Sequence, residues 1–264
     1  MTNDKVSLDN ILSDILSPEA GVYSIAAKDL NTGRRWMINP RRQPSASLIK
    51  IFIMIEAFRQ YAHGTLTLNQ EQPIRTCDQV GGAGPLEHAL PGTMVTYQKL
   101  IELMITESDN TATNILINKL SMNAINATIQ RLDCPDTLLQ RKMMDFASAA
   151  QGYENYTSVT DILRVFEQLY NHSCLIPELD ETMLTILKGQ QDRCKIPLGL
   201  PPGTVAAHKT GELDGIEHDA GIIYGPNCHF IAVFMTENLP DAERGQTIIA
   251  KLTQTIYQYL HTLD

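Results

Sequence analysis

The sequence has no basic block to set against its formal net charge of −9. Phosphate backbones and anionic bilayers are held by clustered Lys and Arg, so nucleic acid and membrane surfaces are excluded as partners. It has no CxxC pair either. Its five cysteines, Cys77, Cys134, Cys174, Cys194 and Cys228, are odd in number and far apart, which excludes a zinc ribbon or dithiol redox centre and predicts reduced, mostly buried thiols. No HExxH or clustered histidine pattern is present, and His63, His88 and His172 stand alone, so neither a metal nor a cofactor is expected. The longest apolar run, Leu48 to Phe58, is too short to span a bilayer and contains Lys50 and Glu56, so no transmembrane segment is expected. The opening MTNDKVSLDNILSDIL is acidic where a secretory leader is basic. As it stands the sequence reads as cytoplasmic, or as exported only if a leader has been removed. Internal repeats and low-complexity segments are absent too.

What is present is enough chain, 264 residues, for one large core or two lobes sharing a cleft. Leu8, Ile11, Leu12, Ile15 and Leu16 fall on one face of a helix. GVYSIAAKDLNTGRRWMIN reads as two strands around a turn from Asp29 to Gly33. From residue 46 to 189 the periodicity is helical, in LIKIFIMIEAFRQYAH, TYQKLIELMITE, NTATNILINKL, NAINATIQRL, VTDILRVFEQLY and ETMLTILKGQ. Strands return at TVAAHKTG, HDAGIIYG and HFIAVFMTE, and an amphipathic helix closes the chain. The expectation is an α/β two-lobe fold. Residues 1–45 and 190–264 form an antiparallel sheet flanked by terminal helices, residues 46–189 form an inserted helical lobe, and the two make one catalytic unit, read as a monomer.

Three short motifs fall on the seams between these lobes: Ser47-Leu-Ile-Lys50 at a helix start, Ser108-Asp-Asn110 between two helices, and Lys209-Thr-Gly211 on a returning strand. Each alone is weak. Together, in this order and on these elements, they form the S-x-x-K, S-D-N and K-T-G set of class A β-lactamases and penicillin-binding proteins. The surrounding stretches GVYSIAAKDLNTGRRWMINPRRQPSASLIK, LPGTMVTYQKLIELMITESDNTATNILINKL and HKTGELDGIEHDAGIIYGP resemble that family as well, so the resemblance covers nearly the whole chain. The chemistry accounts for a lysine one turn into an apolar helix. Ser47 sits near the positive end of a helix dipole, and Lys50 three residues on shares its face. Burial and the nearby charge of Lys209 favour a neutral Lys50 that can accept the serine proton. The resemblance further implies that the N–H groups of Ser47 and Glu212 hold the oxyanion and that Ser108 relays a proton to the leaving nitrogen. It also implies that Asn110 binds the substrate amide and that Lys209, with Thr210 and Gly211 of the same motif, binds its carboxylate. Asp109 reads as structural.

The departures bear on the reaction. The family's L-x-R-x-E, whose glutamate activates the deacylating water, appears as Leu139-Gln-Arg141-Lys-Met143. A thioether accepts no proton, and a positioned general base is worth about 10²- to 10⁴-fold, so slow deacylation is expected unless Asp145 or Glu154 substitutes. The usual aspartate partner of Arg141 reads Asn155. Glu212 places a carboxylate beside the expected carboxylate site, either in the cleft or in solvent, and His218 stands where many members have an arginine, as a structural histidine or an anion binder. No aromatic gatekeeper occurs near GGAGP, residues 81 to 85, so that wall is expected to be open or mobile. The resulting expectation is a serine hydrolase acting on a small-molecule β-lactam or peptide substrate through an acyl-Ser47 intermediate. The alternatives are a D-alanyl-D-alanine carboxypeptidase or esterase, and a covalent β-lactam sensor that does not turn over.

Overall fold

A computed structural model gives the fold and describes residues 7–261. The chain opens with α1 (Leu8–Leu16), continues through the hairpin β1 (Val22–Asp29) and β2 (Arg35–Ile38), and enters the helical lobe after the short β3 (Arg42–Pro44). Gly33, at φ 76°, takes the left-handed position of the hairpin turn, which costs glycine nothing. The apolar helix expected to begin at Ser47 starts instead with a 3-10 turn, Ala46–Ile49, and becomes α2 only at Lys50 (Lys50–Ala62). Residues Lys50 to Phe58 of α2 are all buried, so this helix is the axis of its lobe rather than a surface element.

Around α2 the chain lays down β4 (Glu71–Pro73), β5 (Met94–Thr96), α3 (Tyr97–Thr106), α4 (Asn110–Leu120), α5 (Met122–Arg131), the short α6 (Phe146–Ala150), β6 (Tyr156–Ser158), α7 (Val159–Tyr170) and α8 (Pro177–Lys188). Side-chain caps start most of these helices: Thr96 for α3, Asp109 for α4, Ser121 for α5, Asp145 for α6 and Ser158 for α7 each accept a backbone N–H. The three long strands β7 (Val205–Leu213), β8 (Ile216–Tyr224) and β9 (His229–Glu237) follow, then α9 (Ala242–His261). The elements that periodicity did not predict, α6 and the pairs β3–β6 and β4–β5, are three to five residues long and carry too few positions to show a repeat.

The main sheet has the order β2-β1-β9-β8-β7, antiparallel throughout. Both its faces are covered. Ile25, Ala27, Phe230 and Phe234 pack with Leu8, Leu12, Ile249 and Ile256 of the terminal helices, whereas Ala26, Ile222, Ile231 and Val233 join the core of the helical lobe. This double burial explains why the middle of β9, Phe230 to Met235, reads as an unbroken apolar run. Of the cysteines, none of them in a disulfide, Cys134 and Cys228 are buried, Cys174 is half-buried, and Cys77 and Cys194 are exposed, which corrects the expectation that most are buried. Among the described residues no helix is long and apolar enough to cross a membrane.

His218 on β8 ties three elements together. Its Nε2–H donates to Pro44 O at 2.9 Å, and its Nδ1 accepts from the Thr236 N–H at 3.1 Å. Full burial pushes its pKa from 6.5 down to about 4, so the ring is neutral in the fold. An unfolded chain therefore binds a proton that the folded one refuses between these values, and stability rises with pH across that window. The contribution is complete above pH 6.5 and is lost as pH falls to about 4, about 3 kcal/mol in all. Urea unfolding of His218→Gln from pH 7 to 4 should show a shallower decline than the parent. Identical slopes would remove His218 from the acid sensitivity.

Candidate active site

The seam between the lobes holds a cleft of about 170 Å³, lined among others by Ser47, Ser108, Asn110, Met143, Thr210, Gly211 and Glu212. Ala46 and Ser108, with φ of 45° and 55°, hold left-handed backbone that non-glycine residues seldom adopt. Strain of this kind persists where the surroundings over-determine it. Ala46 aims the 3-10 turn so that half-buried Ser47 faces the cleft. β7 closes against that turn, and a Cβ at Gly211 would lie 3.0 Å from the Ser47 nitrogen. Glycine lets the two backbones meet there.

Lys50 and Lys209 lie under the cleft, both fully buried. Lys50 Nζ lies within hydrogen-bond distance of Ser108 O at 2.6 Å, Ser108 Oγ at 3.1 Å and Asn110 Oδ1 at 2.9 Å. Lys209 Nζ reaches the same Ser108 Oγ at 3.1 Å and Thr210 O at 2.8 Å. One hydroxyl thus joins two buried amines. Loss of water, then the like charge of Lys209, pushes the Lys50 pKa well below the ordinary lysine value, against the pull of Asp109. Burial and then Lys195 bring Lys209 down to about 7.

Asp109 faces away from this pair and works on the backbone. Its carboxylate accepts from Ala112 N at 2.7 Å, capping α4, and from Leu86 N at 2.8 Å. A Cβ on Gly84 would fall 2.3 Å from the Asp109 Cα, so the chain there can only be glycine. The wall around residues 81 to 85, expected to be open or mobile for want of an aromatic, is hydrogen-bonded to Asn110: Asn110 N–H donates to Ala83 O and Asn110 Nδ2 to Gly81 O, both at 3.0 Å. With Oδ1 taken by Lys50, Asn110 keeps one amide hydrogen unspent.

Across the cleft, Asn114 clamps Met143 by both backbone groups, accepting from Met143 N at 2.8 Å and donating to Met143 O at 3.0 Å. The loop's ion pair is present but displaced by one residue. Arg141 binds Glu154 through Nε and a terminal nitrogen, both at 3.0 Å. Asn155 instead accepts from the Gln140 and Arg141 N–H groups and donates to Arg141 O. Glu154 therefore lines the cleft as half of an ion pair. Asp145 lies elsewhere, capping α6 through Ser148 N at 3.0 Å and Ser148 Oγ at 2.7 Å and lining a separate depression with Cys77 and Asn118.

At the β7 end, Glu212 accepts from Lys195 Nζ at 2.6 Å while remaining 56% exposed. Sequence reasoning missed Lys195, because nothing in QQDRCKIP marks a lysine that folding buries completely. His218, fully buried and spent on Pro44 and Thr236, does not reach the cleft. Among the described residues no cluster of three or more His, Cys, Asp or Glu suited to a metal occurs.

Comparison with known proteins bears on the family and the fold. Extended-spectrum beta-lactamase PER-1 of Pseudomonas aeruginosa is 28% identical over 246 residues, 84% of this chain and 77% of that protein. The beta-lactamase structure from Sphaerobacter thermophilus superposes with a TM-score of 0.89 at 28% identity, covering 97% of this chain and 98% of that one. A mutant of PBP-A, described as an acyl-enzyme complex with penicillin G, gives a TM-score of 0.90 at 26% identity and covers 97% of each chain. The model of the beta-lactamase enzyme family matches residues 7–260, and with that span, from the first described helix to the last, this chain belongs to the beta-lactamase enzyme family.

Proposed function

We propose that the cleft opens β-lactams and related amides by forming an ester on Ser47, and that the ester is hydrolysed slowly. Family membership makes the chain a serine hydrolase. The observation that carries the slow step is Met143, clamped by Asn114 and lining the cleft with Ser47. The PBP-A acyl-enzyme with penicillin G supports the ester on this fold.

In the first half-reaction neutral Lys50 takes the proton of Ser47, and Ser47 Oγ adds to the carbonyl carbon. The N–H groups of Ser47 and Glu212 hold the resulting oxyanion. As the C–N bond breaks, the Ser108 hydroxyl passes a proton to the nitrogen and is resupplied by one of the two lysines it touches. In the second half-reaction water must attack the ester. A free carboxylate would normally take its proton, but Glu154 is paired with Arg141 and Asp145 faces another depression. A base worth about 10²- to 10⁴-fold is therefore absent, on the order of 3 to 5 kcal/mol at that step. The same observation favours a second reading, a penicillin-binding protein that acts on peptide and is trapped by the drug.

Intact-mass spectrometry after mixing with benzylpenicillin should show an adduct of one drug mass that outlasts the labelling phase, and Ser47→Ala should show none. Rapid turnover without an adduct would sink the slow-deacylation reading, and labelling of the alanine variant would remove Ser47 from the mechanism. Lys50→Ala should slow acylation by more than about tenfold, the lower end of what a positioned base supplies being larger still.

Met143→Glu should shorten the adduct's lifetime, since the Asn114 clamp holds the backbone at 143 whatever the side chain. The gain should stay below the full 10²- to 10⁴-fold, because a grafted base lacks its supporting contacts. An unchanged lifetime would show that position 143 does not face the ester.

A further inference from the structure

We propose that Glu212, positioned by the buried Lys195, makes the cleft select substrates that carry no negative charge on the leaving-group side of the scissile amide; this rests on the acyl-Ser47 reading and specifies its substrate. Lys195 is fully buried, with Asp192 Oδ2 at 2.9 Å, Glu212 Oε1 at 2.6 Å and Glu217 Oε2 at 2.9 Å. The Glu217 oxygen is that close without a directed hydrogen bond. Three carboxylates around one ammonium leave a negative balance. The geometry also decides which sign the cleft sees. Lys195 contributes nothing to the cleft wall, whereas Glu212, directly after Gly211, lines it and is 56% exposed. The carboxylate is presented and its counter-ion is hidden behind it.

The other cations that could receive a substrate carboxylate are already engaged. Lys209 is fully buried and directs two of its N–H groups to Ser108 Oγ and Thr210 O. His218 is neutral at working pH and bonded to Pro44 and Thr236. Arg141, on the opposite wall, holds Glu154. A carboxylate entering beside Thr210 would meet the exposed Glu212 oxygens, while Lys209 is fully buried with two of its three N–H groups already committed. An ester, amide or hydroxyl in the same place meets no such repulsion, and can donate to Glu212 where it has a proton.

The test compares benzylpenicillin with its methyl ester, reading second-order acylation rates by intact mass. In the parent protein the ester should acylate faster than the acid. Glu212→Gln should raise the acid's rate relative to the ester's by roughly fivefold at low salt, the upper range for an exposed charge pair. At about 1 M salt, where the Debye length is roughly 3 Å, the parent's gap should narrow toward the variant's. If Glu212→Gln does not fold, the parent's acid-to-ester ratio decides alone: a ratio that rises with salt supports the selection, and a flat one overturns it. An acid that outpaces the ester in the parent, or a ratio untouched by Glu212→Gln, also overturns it while leaving acyl-Ser47 intact. Absence of both adduct and hydrolysis with either compound would overturn the acyl-Ser47 reading and the selection together.

Discussion

Two buried amines sharing one hydroxyl set the terms for the rest of this molecule. Lys50 and Lys209 come from different lobes, and neither would keep a charge in such surroundings without partners. Ser108 Oγ lies 3.1 Å from both, so each amine is held within reach of the other's field. Desolvation lowers both pKa values, aided at Lys50 by the charge of Lys209 and at Lys209 by that of Lys195. A lysine whose pKa is lowered in this way can serve as a base, which an exposed lysine cannot. The arrangement demands that α2 be buried from Lys50 to Phe58, that β7 reach the start of α2, and that the loop before α4 turn sharply at Ser108. The left-handed backbone at Ala46 and Ser108 is where the fold absorbs that demand.

The loop from residue 139 to 155 is organised by different forces. Arg141, Glu154 and Asn155 close its neck by directed hydrogen bonds, while Leu139 and Met143 anchor it in the core of the helical lobe. An ionised carboxylate at 143 would need polar partners of its own, because burying it unpaired is expensive. Methionine needs none and adds apolar contact. The loop therefore gains cohesion where it lacks a base, a trade between stability and turnover of the kind functional sites commonly show.

Most of the fold was legible because its signals are long. Helical periodicity in six segments between Ser47 and residue 190, and the apolar run in β9, survive any uncertainty at their ends. Ser47, Lys50, Ser108, Asn110 and Lys209 were legible because the chemistry requires particular residue types at short spacing on recognisable elements. Partnerships across long separations were not. Glu154 replaces the expected aspartate as the partner of Arg141 one position earlier than the register suggested, and a linear sequence does not say which of two adjacent side chains turns inward. Lys195 pairs with Glu212 and Glu217, and no local pattern distinguishes a lysine that will be buried from one that will be solvated.

The position of Lys195 also changes how the charge of this protein is to be understood. A net charge of −9 describes the whole chain, but it says nothing about the field inside a cleft. There the sign is set by burial order: a cation placed behind a carboxylate neutralises it in the fold's accounts while leaving the anion as the face that substrate meets. Lys209 feels the same arrangement from the other side, since Lys195 lowers its pKa while Asp219, Glu212 and Asp192 raise it. Charge at the β7 end is consequently coupled to the proton inventory of the Ser108 bridge. A substitution that alters one should be expected to move the other, even where no atom of the substrate touches both.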